Sequence, residues 1–299
     1  MISRSFLPSI VKGGFIMFTE LNGKCVADFV KEELRNEVAH MHNNGEQVCL
    51  AVIQVGDDAA SSVYVKNKQK ACDYIGIDSY VYNLSENVNQ ATVIRAIDKL
   101  NNDSTINGIL VQLPLPKHLN ESEILSRISP SKDVDGFHEY NVGKLMLGQD
   151  CVAACTPSGI IKILKHYNIE IAGKNCVIVG RSNIVGKPMA MMLLKEDGTV
   201  TICHSKTENL KEICKTADIL VCAIGKPKFF NHEYIKDGAV VIDVGIHRLD
   251  DGTMCGDVDY NDVIDIVSAI TPVPRGVGPM TVAMLMSNCV KATKLQYSA

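Results

Sequence analysis

Between residues 23 and 42, apolar side chains recur at intervals of three and four: Val26, Phe29, Val30, Leu34 and Val38. That spacing predicts a helix with one buried face. Residues 48–55 form a near-continuous apolar run ending at Gly56-Asp57-Asp58, the pattern of a strand covered on both faces and running into a loop. Helices are predicted over 61–74 and 92–100. A strand is predicted over 109–113, stopped by Pro114 and Pro116 because proline donates no ladder hydrogen bond. After Thr156-Pro157 a second series begins, with helices at 158–166 and 184–194 and strands at 176–179, 200–203, 219–223 and 240–244. A last helix is predicted over 280–295. Alternating buried strands and helices place the chain in the α/β class, with mainly parallel sheets in two domains.

Composition narrows the class of partner. Hydrophobic residues make up 46% of the 299 and charged residues 21%, so the chain can bury a core without staples. A net charge of −4 gives no basic face for nucleic acid. No apolar run approaches the roughly 20 residues of a membrane span, so no membrane partner is expected. The 11 cysteines form no CxxC pair, and no histidine cluster surrounds Cys151 and Cys155. They read as reduced, buried small hydrophobes rather than zinc ligands, which predicts no metal and a cytoplasmic setting. The first 18 residues carry Arg4 and Lys12 and no acid. They are an upstream start before Met17 or a transit peptide, which would instead place the protein in mitochondria. Two basic residues make a poor presequence.

Residues 177–186, Val-Ile-Val-Gly-Arg-Ser-Asn-Ile-Val-Gly, read as strand, tight turn and helix start. Backbone N–H groups and the helix dipole at such a turn favour a dinucleotide pyrophosphate. The glycine pattern is imperfect: Ser182 and Val185 hold the usual second and third positions, and Gly186 comes one place late. A plain strand-to-helix turn fits the same residues. The next strand adds weight, because His204-Ser205-Lys206 follows it where an NAD enzyme places an acid for the ribose 2′-hydroxyl. Ser205, Lys206 and Arg181 suit a 2′-phosphate, so NADP is the expected cofactor. Gly225-Lys226-Pro227 and Asp243-Val244-Gly245 follow later strands, at the sheet edge where α/β folds bind ligands or merely turn.

In the first half, Tyr64 and Lys68 stand four apart on one helix face, as a site pair or as ordinary surface residues of a lysine-rich segment. Gln112 is one amide inside an apolar strand, either satisfied in the core or placed at a site at the strand's end. Asp133 and Asp135, beside Gly136, form a solvated turn or a site for a cationic group.

Taken together, Tyr-x-x-x-Lys (64–68), Gly-Ile-Leu-Val-Gln-Leu-Pro-Leu-Pro (108–116), Lys-Asp-Val-Asp-Gly-Phe (132–137), Cys-Thr-Pro-x-Gly (155–159), Gly-Arg-Ser-x-Ile-Val-Gly-x-Pro (180–188) and Pro-Val-Pro-x-Gly-Val-Gly-Pro-Met-Thr (272–281) resemble the bifunctional methylenetetrahydrofolate dehydrogenase/cyclohydrolase family. The resemblance runs from about residue 18 to the end, with six motifs in fixed order. It implies a folate-binding domain over 18–155, completed by a C-terminal helix at 280–299, and a Rossmann-like NADP-binding domain over 156–279, with a cleft between them. By the same resemblance Tyr64 stacks on the pterin, Lys68 is the key catalytic side chain, Gln112 supports it and Asp135 holds the pterin. Val111, Gln112, Leu113, Pro274, Gly276 and Gly278 line the folate site. Gly180, Arg181, Ser182, Ser205 and Ile246 contact NADP, and the protein is a homodimer. One position departs from the family pattern: Arg275 stands where a second glycine is usual, a place that would suit a positive φ. There it offers a cation to an acidic substrate tail.

The implied chemistry has two steps. Methylenetetrahydrofolate gives a hydride to NADP, a step governed by positioning. Water then opens the methenyl cation to 10-formyltetrahydrofolate, with Lys68 as base or as a charge that orients water. The alternatives are a monofunctional dehydrogenase, an NAD-dependent relative, and a non-catalytic folate- or nucleotide-binding regulator.

Overall fold

The computed structural model describes residues 18–297. The expectations for residues 1–16 lie outside the described residues. In chain order the elements are β1 (Thr19–Glu20), α1 (Gly23–Asn43), β2 (Cys49–Val55), α2 (Ala59–Ile75), β3 (Asp78–Leu84), α3 (Gln90–Asn101), β4 (Gly108–Val111), α4 (Glu121–Ser126), α5 (Glu139–Met146) and α6 (Cys155–His166). They continue with β5 (Asn175–Val179), α7 (Gly186–Lys195), β6 (Thr199–Cys203), α8 (Leu210–Cys214), β7 (Ile219–Cys222), β8 (Val240–Asp243), β9 (His247–Arg248), β10 (Met254–Cys255), α9 (Tyr260–Val263), β11 (Ala269–Ile270) and α10 (Val277–Tyr297).

The chain divides into two compact units, one of residues up to 26 and 156–280, the other of 27–155 and 281 onward. The second unit holds a parallel three-stranded sheet in the order β3-β2-β4. Every residue of β2 and β4 is buried, as a strand covered on both faces requires. Ala51, Ile53, Val93, Ile97, Leu100, Ile109 and Val111 make its core. β3 has no counterpart among the strands predicted from sequence. It is an edge strand in which exposed polar and half-buried residues alternate, so no continuous apolar run marks it.

The first unit holds a parallel six-stranded sheet in the order β1-β11-β8-β7-β5-β6. Val177, Val179, Leu220, Cys222, Val241 and Ile270 fill its core around the fully buried Phe230. Thr19–Glu20 lies at the edge of this sheet, paired with Ala269–Ile270. By their contacts, residues 18–26 group with the six-stranded unit. A two-residue strand is too short to carry a periodicity, which is why the sequence pattern missed it. Residues 281–297 of α10 group with the three-stranded unit.

Two chain features set up the candidate site. In α2, Asp58 accepts a hydrogen bond from the Ser61 N–H at the start, and Gly76 closes the end in a left-handed conformation (φ 92°). The 11 cysteines form no disulfide, and all but Cys25 and Cys255 are buried. Among the described residues, no helix is long and apolar enough to cross a membrane.

Candidate functional site

In the three-stranded unit, the helix spacing places Tyr64 and Lys68 on one face of α2, while Val65 turns into the core. Tyr64 is 47% exposed, so its ring is free to stack. β4 ends at Val111, and Gln112 is the next residue, half-buried, with its N–H still donating to Ile53 O at 2.9 Å. The amide therefore sits at the strand's end rather than inside the core. Lys68 Nζ donates to Gln112 Oε1 at 2.9 Å, and Gln112 Nε2 donates to Leu113 O at 2.6 Å. The second bond fixes the amide so that its oxygen faces the lysine. Val111 is itself buried in the core, so it can offer a ligand only its backbone.

The two acids of the 132–137 loop divide their work. Asp133 is buried and accepts hydrogen bonds from the N–H groups of Gly136, Phe137 and His138 and from Asn141 Nδ2. It organises the loop. Gly136 has φ 73°, and a Cβ there would lie 2.5 Å from the Ala153 carbonyl carbon, so only glycine fits. This packing fixes the loop that carries Asp135, whose carboxyl feels the Lys68 charge. Desolvation pushes the Asp135 carboxyl up to about 6; Lys68 pulls it down and Asp133 pushes it up. A carboxyl moved that far by burial is a candidate site group rather than a solvated turn residue.

The raised value has a consequence for stability. A carboxyl whose folded value lies above its unfolded one contributes stability below the unfolded value and loses it as pH rises through the folded one. The window runs from about 3.8 to about 6. Asp135→Asn is expected to leave the melting temperature unchanged below about pH 4 and to raise it by roughly 2–6 °C above about pH 7. Thermal melts of both proteins across this range test it, and equal shifts at both ends would reject the desolvated carboxylate.

Asn288 was not singled out from the sequence. Its Nδ2 donates to Val134 O and Ala153 O, both at 2.8 Å, which pins the acidic loop to α10. The available signal was a single amide on an apolar helix face, which must find partners when buried. Cys155 lies in the same neighbourhood, its thiol pushed well above the ordinary range by burial and then by Asp135. It is an inert core residue.

In the six-stranded unit, the turn after β5 has the form that a dinucleotide needs. Gly180 has φ 140°, and a Cβ there would lie 2.3 Å from Ala223 O. A Cβ on Gly186 would lie 2.2 Å from Gly180 O and 2.8 Å from Arg181 N. Gly186, one place late in the sequence pattern, thus supplies the close helix-to-turn approach that the third glycine provides in such turns. Ser182 Oγ accepts from the N–H groups of Val185 and Gly186 at 3.2 and 3.3 Å and so ties the turn to the start of α7. β5 and β6 pair Val179 with Cys203. Arg181 and Ser205, each two residues further on, therefore stand at the ends of neighbouring strands, and both are exposed. Lys206 N–H donates to His204 Nδ1, which shapes the turn presenting Ser205 and Lys206. No carboxylate ends β6, and this donor set fits NADP with its 2′-phosphate.

Ile246 is 49% exposed after β8. Pro274 and Gly278 are exposed, while Gly276 is buried, and a Cβ there would lie 2.4 Å from Pro272 O. These three residues belong to the six-stranded unit, whereas Val111 and Leu113 belong to the three-stranded one. Arg275 takes φ 81°, a left-handed conformation that suits the glycine of the family pattern. Among the described residues no cluster of His, Cys, Asp and Glu could hold a metal.

Residues 21–135 match the family model described as "Tetrahydrofolate dehydrogenase/cyclohydrolase, catalytic domain". Residues 154–297 match "Tetrahydrofolate dehydrogenase/cyclohydrolase, NAD(P)-binding domain". The chain is 57% identical over 274 residues to the Bifunctional protein FolD of Agathobacter rectalis, covering 92% of this chain and 98% of that one. It is 58% identical over 276 residues to the Bifunctional protein FolD of Acetivibrio thermocellus, covering 92% and 97%. The crystal structure of the bifunctional FolD from Campylobacter jejuni superposes with a TM-score of 0.92 at 48% identity, covering 93% of this chain and 99% of that one. A Trypanosoma brucei methylenetetrahydrofolate dehydrogenase-cyclohydrolase, complexed with NADP and an inhibitor, superposes at 0.90 with 36% identity, covering 94% and 99%.

Proposed function

Because this chain belongs to the tetrahydrofolate dehydrogenase/cyclohydrolase family, we propose a division of work between its two units. The protein is a bifunctional enzyme that oxidises methylenetetrahydrofolate with NADP and hydrolyses the methenyl product to formyltetrahydrofolate. The observation that carries the residue assignment is the Lys68–Gln112 hydrogen bond, with the buried Asp135 carboxyl feeling the Lys68 charge.

Lys68 is the catalytic side chain of hydrolysis. Gln112 holds its Nζ through Oε1, and the same lysine nitrogen directs a water at the methenyl carbon or takes its proton. Asp135 binds the pterin ring nitrogens, and Tyr64 stacks on the pterin. Within the three-stranded unit, Leu113 and the Val111 backbone complete the folate contacts. NADP, when bound, accepts the hydride. Gly180 and Ser182 cradle its pyrophosphate, Arg181 and Ser205 hold the 2′-phosphate, and Ile246 packs on the cofactor.

Cofactor preference tests the nucleotide half. Removing a charge-assisted bond to phosphate costs about 1.5–3 kcal/mol, so Arg181→Ala is expected to raise the KM for NADP by roughly 10–150-fold. The KM for NAD should change by less than about threefold, since NAD has no phosphate to lose. Equal losses with the two cofactors would reject Arg181 as the phosphate partner.

The homodimer expected from the family is supported by β6, an open sheet edge with Thr201 and Ile202 exposed. Sedimentation equilibrium reads it directly, and a monomer at micromolar protein would reject it. Eleven unbridged cysteines support a reducing, cytoplasmic setting.

A further inference from the structure

Two buried carboxylates in the six-stranded unit take no part in the chemistry described so far. Asp257 is fully buried. Its Oδ2 accepts from the N–H groups of Ile224 and Gly225 at 2.7 and 3.0 Å, and its Oδ1 accepts from Lys226 N–H at 2.9 Å. The fourth donor is His247, whose Nε2 lies 2.8 Å from Oδ1 and, facing a carboxylate, carries the proton. Asp243, the last residue of β8, is 3% exposed. It accepts from the N–H groups of Gly245, Asp257 and Val258, each at 2.9 Å.

Two glycines make room for this arrangement. A Cβ on Gly256 would lie 1.9 Å from Asp243 Oδ2, and one on Gly245 would lie 2.4 Å from Asp257 Oδ1. No side chain fits at either place. The carboxylates therefore fix the backbone of residues 224–226, which follow β7, and of 244–247, which follow β8. A loop held only by solvent needs none of this. A buried carboxylate accepting three or four N–H bonds specifies one backbone geometry.

The position of these loops identifies what they serve. β7 and β8 lie on the opposite side of β5 from β6 in the sheet. On the NADP reading, Arg181 and Ser205 beside β6 would hold the 2′-phosphate and the Gly180–Gly186 turn the pyrophosphate, so residues after β7 and β8, on the other side of β5, would be left to hold the nicotinamide half.

We propose that Asp257, with Asp243 and His247, is a positioning residue that shapes the nicotinamide half of the cofactor site by fixing residues 224–226 and 244–247. The assignment rests on the NADP reading above. None of the three side chains needs to touch the cofactor, because each acts through backbone that it holds.

The test uses the full chain and two probes, NADP and 2′,5′-ADP, the second carrying only the adenosine and its 2′-phosphate. Asp257→Asn puts an amide N–H or a poorer acceptor against backbone donors. It is expected to weaken NADP binding at least about tenfold by disturbing the backbone of residues 224–226, while 2′,5′-ADP binding stays within about twofold. The cyclohydrolase rate, measured on methenyltetrahydrofolate without cofactor, should not change. His247→Asn removes one of the four bonds and covers the case in which the buried variant does not fold; it should give the same split at about threefold. Parallel weakening of both probes, or unchanged NADP binding in the His247 variant, would overturn the assignment. A wild-type protein that binds neither probe would overturn the cofactor reading itself, and the assignment with it.

Discussion

Lys68→Ala is expected to lower cyclohydrolase turnover by about 10²–10⁴-fold, the range that a positioned proton-transfer group supplies. The reason is local. Lys68 Nζ is held by Gln112 Oε1 at 2.9 Å, and Gln112 is itself held by Leu113 O. Alanine removes the nitrogen and puts no other proton-transfer group in its place. The fold should survive, because Lys68 is only half-buried and lies on the outer face of a capped helix. Lys68→Arg separates the two roles open to the lysine. Arginine keeps the charge but does not give up its proton, so recovered hydrolysis means orientation of water and continued loss means base catalysis. Gln112→Ala, which frees the lysine without deleting it, should fall between wild type and Lys68→Ala. Hydrolysis at the wild-type rate in Lys68→Ala would remove the lysine from the mechanism.

The second large effect is expected at Gly186. A Cβ there meets backbone atoms of Gly180 and Arg181 at 2.2–2.8 Å, and backbone cannot swing aside as a side-chain tip can. Gly186→Ala must push α7 away from the turn, at about 1–3 kcal/mol or more of overpacking. On the reading proposed above, the Gly180–Ser182 turn that this shift distorts receives the pyrophosphate, so NADP affinity should fall at least about tenfold. Titration calorimetry measures the affinity, and thermal melts with and without NADP measure the packing. Lys68, Gln112 and Asp135 lie in the other unit, so dehydrogenase activity should fall much further than cyclohydrolase activity. Unchanged NADP affinity would mean that the turn does not receive the pyrophosphate.

Continuous apolar runs were the legible part of the fold. β2, β5, β7 and β8 are buried along almost their whole length, so their composition announces them. β3 is an edge strand with polar residues interleaved, and β1 and β11 are two residues each; none presents a period to read. The short helices at 121–126 and 139–146 begin with local side-chain caps, Asn120 and His138, rather than with a long amphipathic face.

The site was legible in its residue types and less so in their division of work. Asp133 and Asp135 look alike in sequence, and only the hydrogen bonds show that Asp133 builds the loop, while burial pushes the Asp135 carboxyl up. Gln112 had two readings until the strand was seen to end at Val111. The pattern places Asp243 at a sheet edge that binds ligands or merely turns, whereas it gives no sign of Asp257 and His247, because the partners of Asp257 are backbone N–H groups up to 33 residues away. The left-handed Arg275 is the converse case: the glycine of the family pattern pointed to that conformation before the backbone was seen.

The most direct test follows purified protein with methylenetetrahydrofolate and NADP, reading NADPH by its absorbance and total methenyl product after acid quench. The account predicts that NADPH forms and that formyltetrahydrofolate accumulates faster than spontaneous hydrolysis allows. NADPH with hydrolysis at the background rate would leave a dehydrogenase alone, and neither product with NADP or NAD would contradict the catalytic assignment altogether.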